Sequence, residues 1–395
     1  MRIFAIEAGD LLDSAKLQYF LFLTNFCYIL SAKHAIVHSK KNISEVFLMK
    51  RDLKKIVSQM TLEEKAGMCS GLDFWHLKHV ERLGIPEVMV SDGPHGLRKQ
   101  DDKGDHLGMN DSIKAVCFPP AALSACSFDR KLVEEMGKTI GKEAQANDVS
   151  IVLGPAVNIK RSPLCGRNFE YYSEDPTLSG KLACEVIKGA RSKGVYCHLK
   201  HFAVNEQETN RSGVCTWLTE QSLRELYLKP FEMAVKDGGT LGIMFSFNRI
   251  GTTWTGGDYR LLTSILRDEW GFKGMVICDF NTEPFMDTRQ MAYAGGDLNL
   301  ATLPSPWKAT SAQDLTILRQ CTKNIIYTTA RSNAMNGCGE GGYYVTYYAW
   351  WEVLLFFLEI GVLAVTVLWG FLCFYLNYRR NKQQTTVVVS GDKKD

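Results

Sequence analysis

The sequence predicts an α/β protein: a (β/α)8 barrel of the TIM type, followed by a single C-terminal transmembrane helix. Three observations carry this. Short apolar runs alternate with amphipathic helical patterns over residues 51–335, as expected of parallel strands joined by crossover helices. That stretch of 285 residues suits an eightfold barrel. Val353 to Leu376 is then 24 residues with one charge, Glu359, which is long enough to cross a bilayer with some tilt. Composition agrees, with 46% apolar and 23% charged residues, the balance of a chain with a sizeable core. The net charge of +3 is small. With no basic arm and no zinc-type Cys/His spacing, no nucleic-acid partner is expected. The 12 cysteines are scattered and none forms a Cys-x-x-Cys pair. Several, such as Cys197 and Cys278, lie inside apolar runs and read as small buried hydrophobes rather than a disulfide framework, although thiols outside a cell would meet oxidising conditions.

Residues 1–50 contain an apolar stretch, Leu17 to Leu30, followed by a basic and polar segment. Fourteen residues is short for a span and closer to a signal-type region, but Glu7, Asp10 and Asp13 make a poor positive leader. A weak signal anchor and a truncated remnant of something longer both fit. Within residues 51–335, the runs 88–91, 151–154, 195–198, 241–246, 275–278 and 298–300 read as short buried strands. Residues 129–147 form a helical pattern with apolar positions at Leu132, Val133, Met136 and Ile140, opened by a capping segment at Ser127 to Arg130. Residues 175–193 and 220–236 give two more helices. Residues 336–352 form a Gly-rich and aromatic joint before the span at 353–376. Tyr343, Tyr344, Tyr347, Tyr348, Trp350 and Trp351 on one side, with Tyr375 and Tyr378 on the other, read as aromatic belts. Arg379, Arg380 and Lys382 then place the tail, residues 377–395, on the cytoplasmic side and the globular part outside.

The chemistry lies at strand ends. Gly271-Phe-Lys-Gly274 turns into the apolar run Met275 to Cys278, which delivers Asp279. The C-terminal end of a barrel strand is where catalytic groups sit, and a carboxylate there can be the nucleophile of a retaining glycosidase. By itself such an Asp could equally cap a helix. Ser91-Asp92-Gly93-Pro94-His95-Gly96 follows another strand, where a carboxylate in a rigid turn suits bidentate binding of vicinal hydroxyls, although an Asp-initiated turn reads the same way. Gly166-Arg167-Asn168-Phe169-Glu170 and Lys200-His201-Phe202-Ala203 follow two more strands, the latter with Asn205, Glu208 and Arg211 behind it. Singly, Lys200 or His201 reads as a salt-bridged or packed residue. It is the joint placement of Asp, Arg, Lys-His and Asp, each after its own strand, that points to a site.

These motifs, with Met60 to Gly67, Asp73-Phe-Trp-His76 and Gly154 to Pro163, resemble the barrel domain of family 3 glycoside hydrolases, in particular the β-glucosidase branch, over about 285 residues. The resemblance implies a retaining double displacement on terminal β-D-glucosyl residues of glucosides or oligosaccharides. Asp279 would be the nucleophile, and Asp92, Arg167, Lys200 and His201 would hold the sugar hydroxyls. Positive charge from Lys200 and Arg167 would keep Asp279 ionised. The Lys-His-Phe motif lacks the Pro-Gly-His-Gly continuation of the hexosaminidase branch. No metal or organic cofactor is implied.

Two departures from the family pattern concern the sugar contacts. Cys278-Asp279-Phe280 replaces Ser-Asp-Trp, so Phe280 keeps an aromatic platform without an indole donor. Ser246-Phe247-Asn248 replaces Ser-Tyr-Asn, so Phe247 lacks the phenol. Family glucosidases take their acid/base Glu from a separate α/β-sandwich domain, and no stretch before residue 50 or after residue 335 reads as one. The order of barrel then span resembles the permuted, membrane-anchored members, in which the sandwich comes before the barrel. The expectation is a hydrolase impaired by ~10²–10⁴-fold for want of general acid help. The alternatives are a surface glycan-binding module without catalysis, or a barrel subunit needing a separately encoded sandwich-domain chain.

Overall fold

The computed structural model describes residues 35–37, 53–100, 111–281, 283–300, 307–335, 344–346 and 350–391. They fall into two compact units: residues 37–343, and the two chain ends, 1–36 with 344–395.

The larger unit is built on a six-stranded sheet whose spatial order follows the chain. Its strands are β1 His76–Leu77, β2 Val88–Asp92, β3 Ile151–Ala156, β4 Tyr196–Phe202, β5 Gly242–Phe245 and β6 Met275–Ile277. From β2 to β6 neighbours are parallel, whereas β1 pairs antiparallel with β2. Strands laid down in chain order wind in one direction, as in a TIM-like barrel, and not outward from a central switch point. Ile277 makes a further parallel bridge to Leu298, which continues the order. Strands β3 to β6 are buried along their whole length. This is why β3, β5 and β6 are continuous apolar runs rather than alternating ones, whereas β4 buries His198, Lys200 and His201 among its apolar residues.

The helices Arg130–Ala146 and Pro176–Arg191 pack on this sheet and on each other. Asp129 caps the first by accepting from Lys131 N and Leu132 N at 2.9 and 3.1 Å. Asp175 caps the second in the same way, at 2.7 and 3.1 Å, with Pro176 at its first turn. The two helices touch at Gly137, where a Cβ would stand 2.5 Å from the Val186 carbonyl.

The structure changes several element boundaries. The strand expected to stop at residue 198 runs to Phe202, so Lys200 and His201 lie on β4 and not after it. Residues 298–300 do not form a strand: beyond the Leu298 bridge, Asn299 N–H donates to the Cys69 carbonyl at 2.9 Å. The helix expected over 220–236 is broken into Glu220–Ser222, a wide turn at Leu223–Tyr227, and Lys229–Lys236. Pro230 explains the break: it has no N–H, and its ring cannot fit against a regular preceding turn. In the wide turn Leu228 N–H reaches back to Leu223 C=O at 2.8 Å. Arg260–Glu269 is a second wide-turned helix that the sequence patterning did not bring out. Cys197 and Cys278 are in the core as expected, but Cys117, Cys126 and Cys215 are exposed.

In the other unit, Trp350–Gly391 is one 42-residue helix. Its stretch Val353–Lys382 contains an unburied 18-residue window of mean hydropathy 2.3 and is long and apolar enough to cross a membrane. The residues read as a tail continue this helix to Gly391. Ala35–Val37 pairs with Tyr344–Thr346 in a two-stranded sheet, so part of the segment read as a flexible joint is a short strand. The apolar stretch 17–30 and the glycines at 337–342 lie outside the described residues.

Candidate active site

A cleft of about 130 Å³ opens at the C-terminal ends of the parallel strands. It brings together Asp92, Arg167, Lys200, His201, Asp279 and Phe280 from four separate segments, over a floor of Leu153, Met244 and Ile277. The volume is below the roughly 300–1,000 Å³ of drug-sized pockets and suits one small ring.

Asp92 ends β2 and is fixed by the turn that follows. Arg98 N–H returns to the Asp92 carbonyl at 2.9 Å. The turn requires glycine, because Gly93 has φ +125° and a Cβ there would lie 1.8 Å from the Gly96 carbonyl. Lys200 Nζ donates to Asp92 Oδ1 at 2.7 Å. The lysine side chain is 4% exposed and that of Asp92 is 33% exposed, so the pair presents its carboxylate to the cleft. Burial opposes the charge on Asp92, but Lys200, the Gly93 N–H and Arg167 together outweigh it and lower its pKa.

Arg167 donates through Nε to Glu170 and through Nη2 to His201 Nε2, the latter at 2.9 Å. A guanidinium can only donate, so His201 Nε2 accepts and the ring proton sits on Nδ1, which faces the Tyr171 hydroxyl at 3.5 Å. Burial and the nearby Arg167, Lys200 and Arg211 all push the His201 pKa far down. The imidazole is therefore neutral, and its 3.9 Å approach to Asp279 Oδ2 is not an ion pair.

Asp279 follows β6. Its Oδ1 accepts the Phe280 N–H at 2.8 Å, while Oδ2 is buried with no partner among the described residues. Burial raises the Asp279 pKa, and Arg167, the Phe280 N–H, Lys200 and Arg211 only partly offset it. The cations were expected to dominate, but desolvation is the larger effect.

Phe280 stacks on Phe74, with centroids 4.4 Å apart and planes at 22°. Phe247 does not line the cleft: it is buried beneath Arg211, whose guanidinium lies 4.4 Å over its ring. Arg211 is itself paired with Glu208 at 2.9 Å. Asn205 Nδ2 donates to the Tyr171 hydroxyl at 3.3 Å.

Sequence reasoning missed Phe74 and Trp75 as cleft residues. Asp73 aims them by accepting from Trp75 N–H and His76 N–H at 2.7 and 2.8 Å. The Asp-x-aromatic-His spacing is the signal for such an Asx turn.

Residues 36–294 match the glycosyl hydrolase family 3 N terminal domain. The thermostable beta-glucosidase B of Acetivibrio thermocellus is 53% identical over 251 residues, which is 64% of this chain and 33% of that protein. An exo-alpha-(1->6)-L-arabinopyranosidase of Bifidobacterium longum is 45% identical over 250 residues, 63% of this chain and 32% of that protein. Among solved structures, the beta-glucosidase of Kluyveromyces marxianus in complex with glucose superposes with a TM-score of 0.66 at 32% identity, covering 73% of this chain and 35% of that one. Beta-glucosidase 3B from Thermotoga neapolitana in complex with glucose gives 0.64 at 33% identity, covering 72% and 43%. The chain thus spans about one third of the length of these curated relatives. The domain match extends over more than half of the sequence, and the chain belongs to glycosyl hydrolase family 3.

Proposed function

We propose that this chain carries the nucleophile and sugar-holding half of a retaining β-glucosidase site. The observation that carries this is Asp279 Oδ2: a buried carboxylate oxygen without a partner among the described residues, in a cleft it shares with a Lys-paired Asp92, Arg167 and a neutral His201. Asp279 attacks the anomeric carbon of a terminal β-D-glucosyl residue. The bond to the aglycone oxygen breaks, and a glycosyl ester forms. Water then attacks the same carbon and restores the carboxylate with net retention. The Asp92 carboxylate accepts from sugar hydroxyls, Lys200 and Arg167 donate to them, and Phe280, backed by Phe74, offers a stacking face.

Among the described residues lining the cleft, the carboxylates are Asp92 and Asp279. Asp92 is held ionised by Lys200 and Asp279 is the nucleophile, so the proton for the leaving group comes from outside this set. We assign it to an α/β-sandwich domain, as the family resemblance implies. The helix at Val353–Lys382 is proposed as a single-pass anchor that leaves the barrel extracytoplasmic, with Arg379, Arg380 and Lys382 on the cytoplasmic side. Retention in the pellet after alkaline extraction would support the anchor, and release would remove it.

The test is incubation of the full chain in detergent with 2,4-dinitrophenyl 2-deoxy-2-fluoro-β-D-glucoside. The activated leaving group makes the acid dispensable, and the fluorine slows hydrolysis of the ester. A mass increase of one fluoroglucosyl group, mapped to Asp279, is expected. Glucose binding without an adduct would replace the proposal with a non-catalytic glycan-binding barrel.

A further inference from the structure

Lys200 and His201 lie where β4 leaves the regular ladder. Its pairing shifts register between Leu153 and Ala156 on the β3 side and between Leu199 and Phe202 on the β5 side. Buried backbone groups there need other partners. Val157 N–H donates to the Lys200 carbonyl at 2.9 Å. Asn158, fully buried in the segment after β3, serves both backbone groups of His201. Its Oδ1 accepts the His201 N–H and its Nδ2 donates to the His201 C=O, each at 2.9 Å. A side-chain amide carries one acceptor and two donors, so it can close this ring and keep a donor spare. Nδ2 also faces Glu206 Oε1 at 3.4 Å, and the same oxygen is 3.4 Å from Ile159 N–H. Glu206 is likewise buried.

Building on the function proposed above, we infer that Asn158, anchored by Glu206, is a positioning residue that sets where Lys200 and His201 enter the cleft. It touches neither the cleft nor a sugar in it; it acts through the backbone of its neighbours. Rotating or replacing the amide frees the His201 peptide, and both adjacent side chains move with it. One of them holds Asp92 and the other meets Arg167 and Asp279. Glu206 keeps the amide oriented. Among the described residues, Arg161 acts on its charge and Tyr171 feels it. Burial pushes its carboxyl up to about 7, against the Asn158 amide, the Ile159 N–H and Arg161. The anchor therefore gains its negative charge near neutrality.

The experiment measures the rate of labelling by the fluoroglucoside on the full chain from pH 5.5 to 8.5, with folding checked by circular dichroism and melting. Asn158→Ala is expected to slow labelling by about 10²-fold, the cost of a displacement near 1 Å, while remaining folded. Asn158→Asp keeps the acceptor for the His201 N–H and is expected to fall between the two, which keeps the test available if the alanine variant misfolds. Glu206→Gln is expected to label within about threefold of wild type at neutral pH, since it preserves the amide anchor, but to lose an inflection near pH 7. Folded Asn158→Ala labelling at the wild-type rate would overturn the inference, as would an unchanged profile in Glu206→Gln. Wild type that is not labelled at all would sink the function and not this inference, which is then read from the His201 ring ¹⁵N shifts. A changed ring signal in Asn158→Ala supports the positioning role, and an unchanged one refutes it.

Discussion

Glu206 gives the sharpest test of the electrostatics. Its carboxyl is 2% exposed and its pKa is raised from an ordinary 4.5 to about 7, first by burial. The folded state therefore holds a proton that the unfolded chain releases. Stability from this group is fully present below the unfolded value and is lost as pH rises toward the folded one. The shift corresponds to about 3 kcal/mol in total, of which about 2.5 falls between pH 5 and pH 8. Glu206→Gln removes the titration while keeping a hydrogen-bonding side chain of the same shape. Wild type and variant are unfolded with urea in detergent at half-unit pH steps, followed by tryptophan fluorescence. The stability of the variant relative to wild type is expected to rise with pH by about 2.5 kcal/mol over that range. Parallel curves would mean that Glu206 does not titrate while buried. A difference falling with pH would mean that Arg161 and the amides outweigh desolvation and that the sign is wrong.

Other sites give further expectations. Asp279→Asn removes the attacking oxygen, and the fluoroglucosyl adduct is expected to vanish from the intact mass while glucose still perturbs the fluorescence. Lys200→Met leaves Asp92 without its partner at 2.7 Å; loss of hydrogen bonds to a charged group costs about 1.5–3 kcal/mol, so the half-saturating glucose concentration is expected to rise about 10- to 100-fold. Ile243→Ala in fully buried β5 is expected to destabilise the chain by about 2–5 kcal/mol in urea unfolding. Gly242→Ala places a Cβ 1.7 Å from His198 Cδ2 and is expected to cost about 1–3 kcal/mol by overpacking; adding His198→Ala should recover part of this, and strictly additive losses would contradict the contact.

The parts of the fold visible in the sequence are those with a local signature. Strands β3, β5 and β6 are buried on both faces and stand out as apolar runs, β4 shows only its start because His198, Lys200 and His201 interrupt it, and Asp279 and Asp92 stand out because a carboxylate closes such a run. The antiparallel edge strand β1 has two residues, too few to show a period. The wide turns at Leu223–Tyr227 and Arg260–Glu269 keep helical apolar spacing and differ only in which carbonyl each N–H reaches, a choice made by tertiary packing and by Pro230.

The site divides along the same line. Asp92, Arg167, Lys200, His201, Phe280 and Asp279 were legible as cleft candidates because each stands in a polar motif at the end of a strand or in the segment after one. The direction of the Asp279 shift was not, because it is a balance between desolvation and three cations that no spacing encodes. Phe247 was assigned to the cleft from its neighbours in the chain, yet Arg211 covers it, a contact between segments that sequence order does not reveal. Asn158 shows why such support escapes a linear reading. Its value lies in meeting both backbone groups of a residue 43 positions away, at the point where β4 leaves register with both neighbours. An asparagine just after a strand reads as a turn residue. Only the three-dimensional pairing turns it into the candidate that connects the strand to the placement of Lys200 and His201.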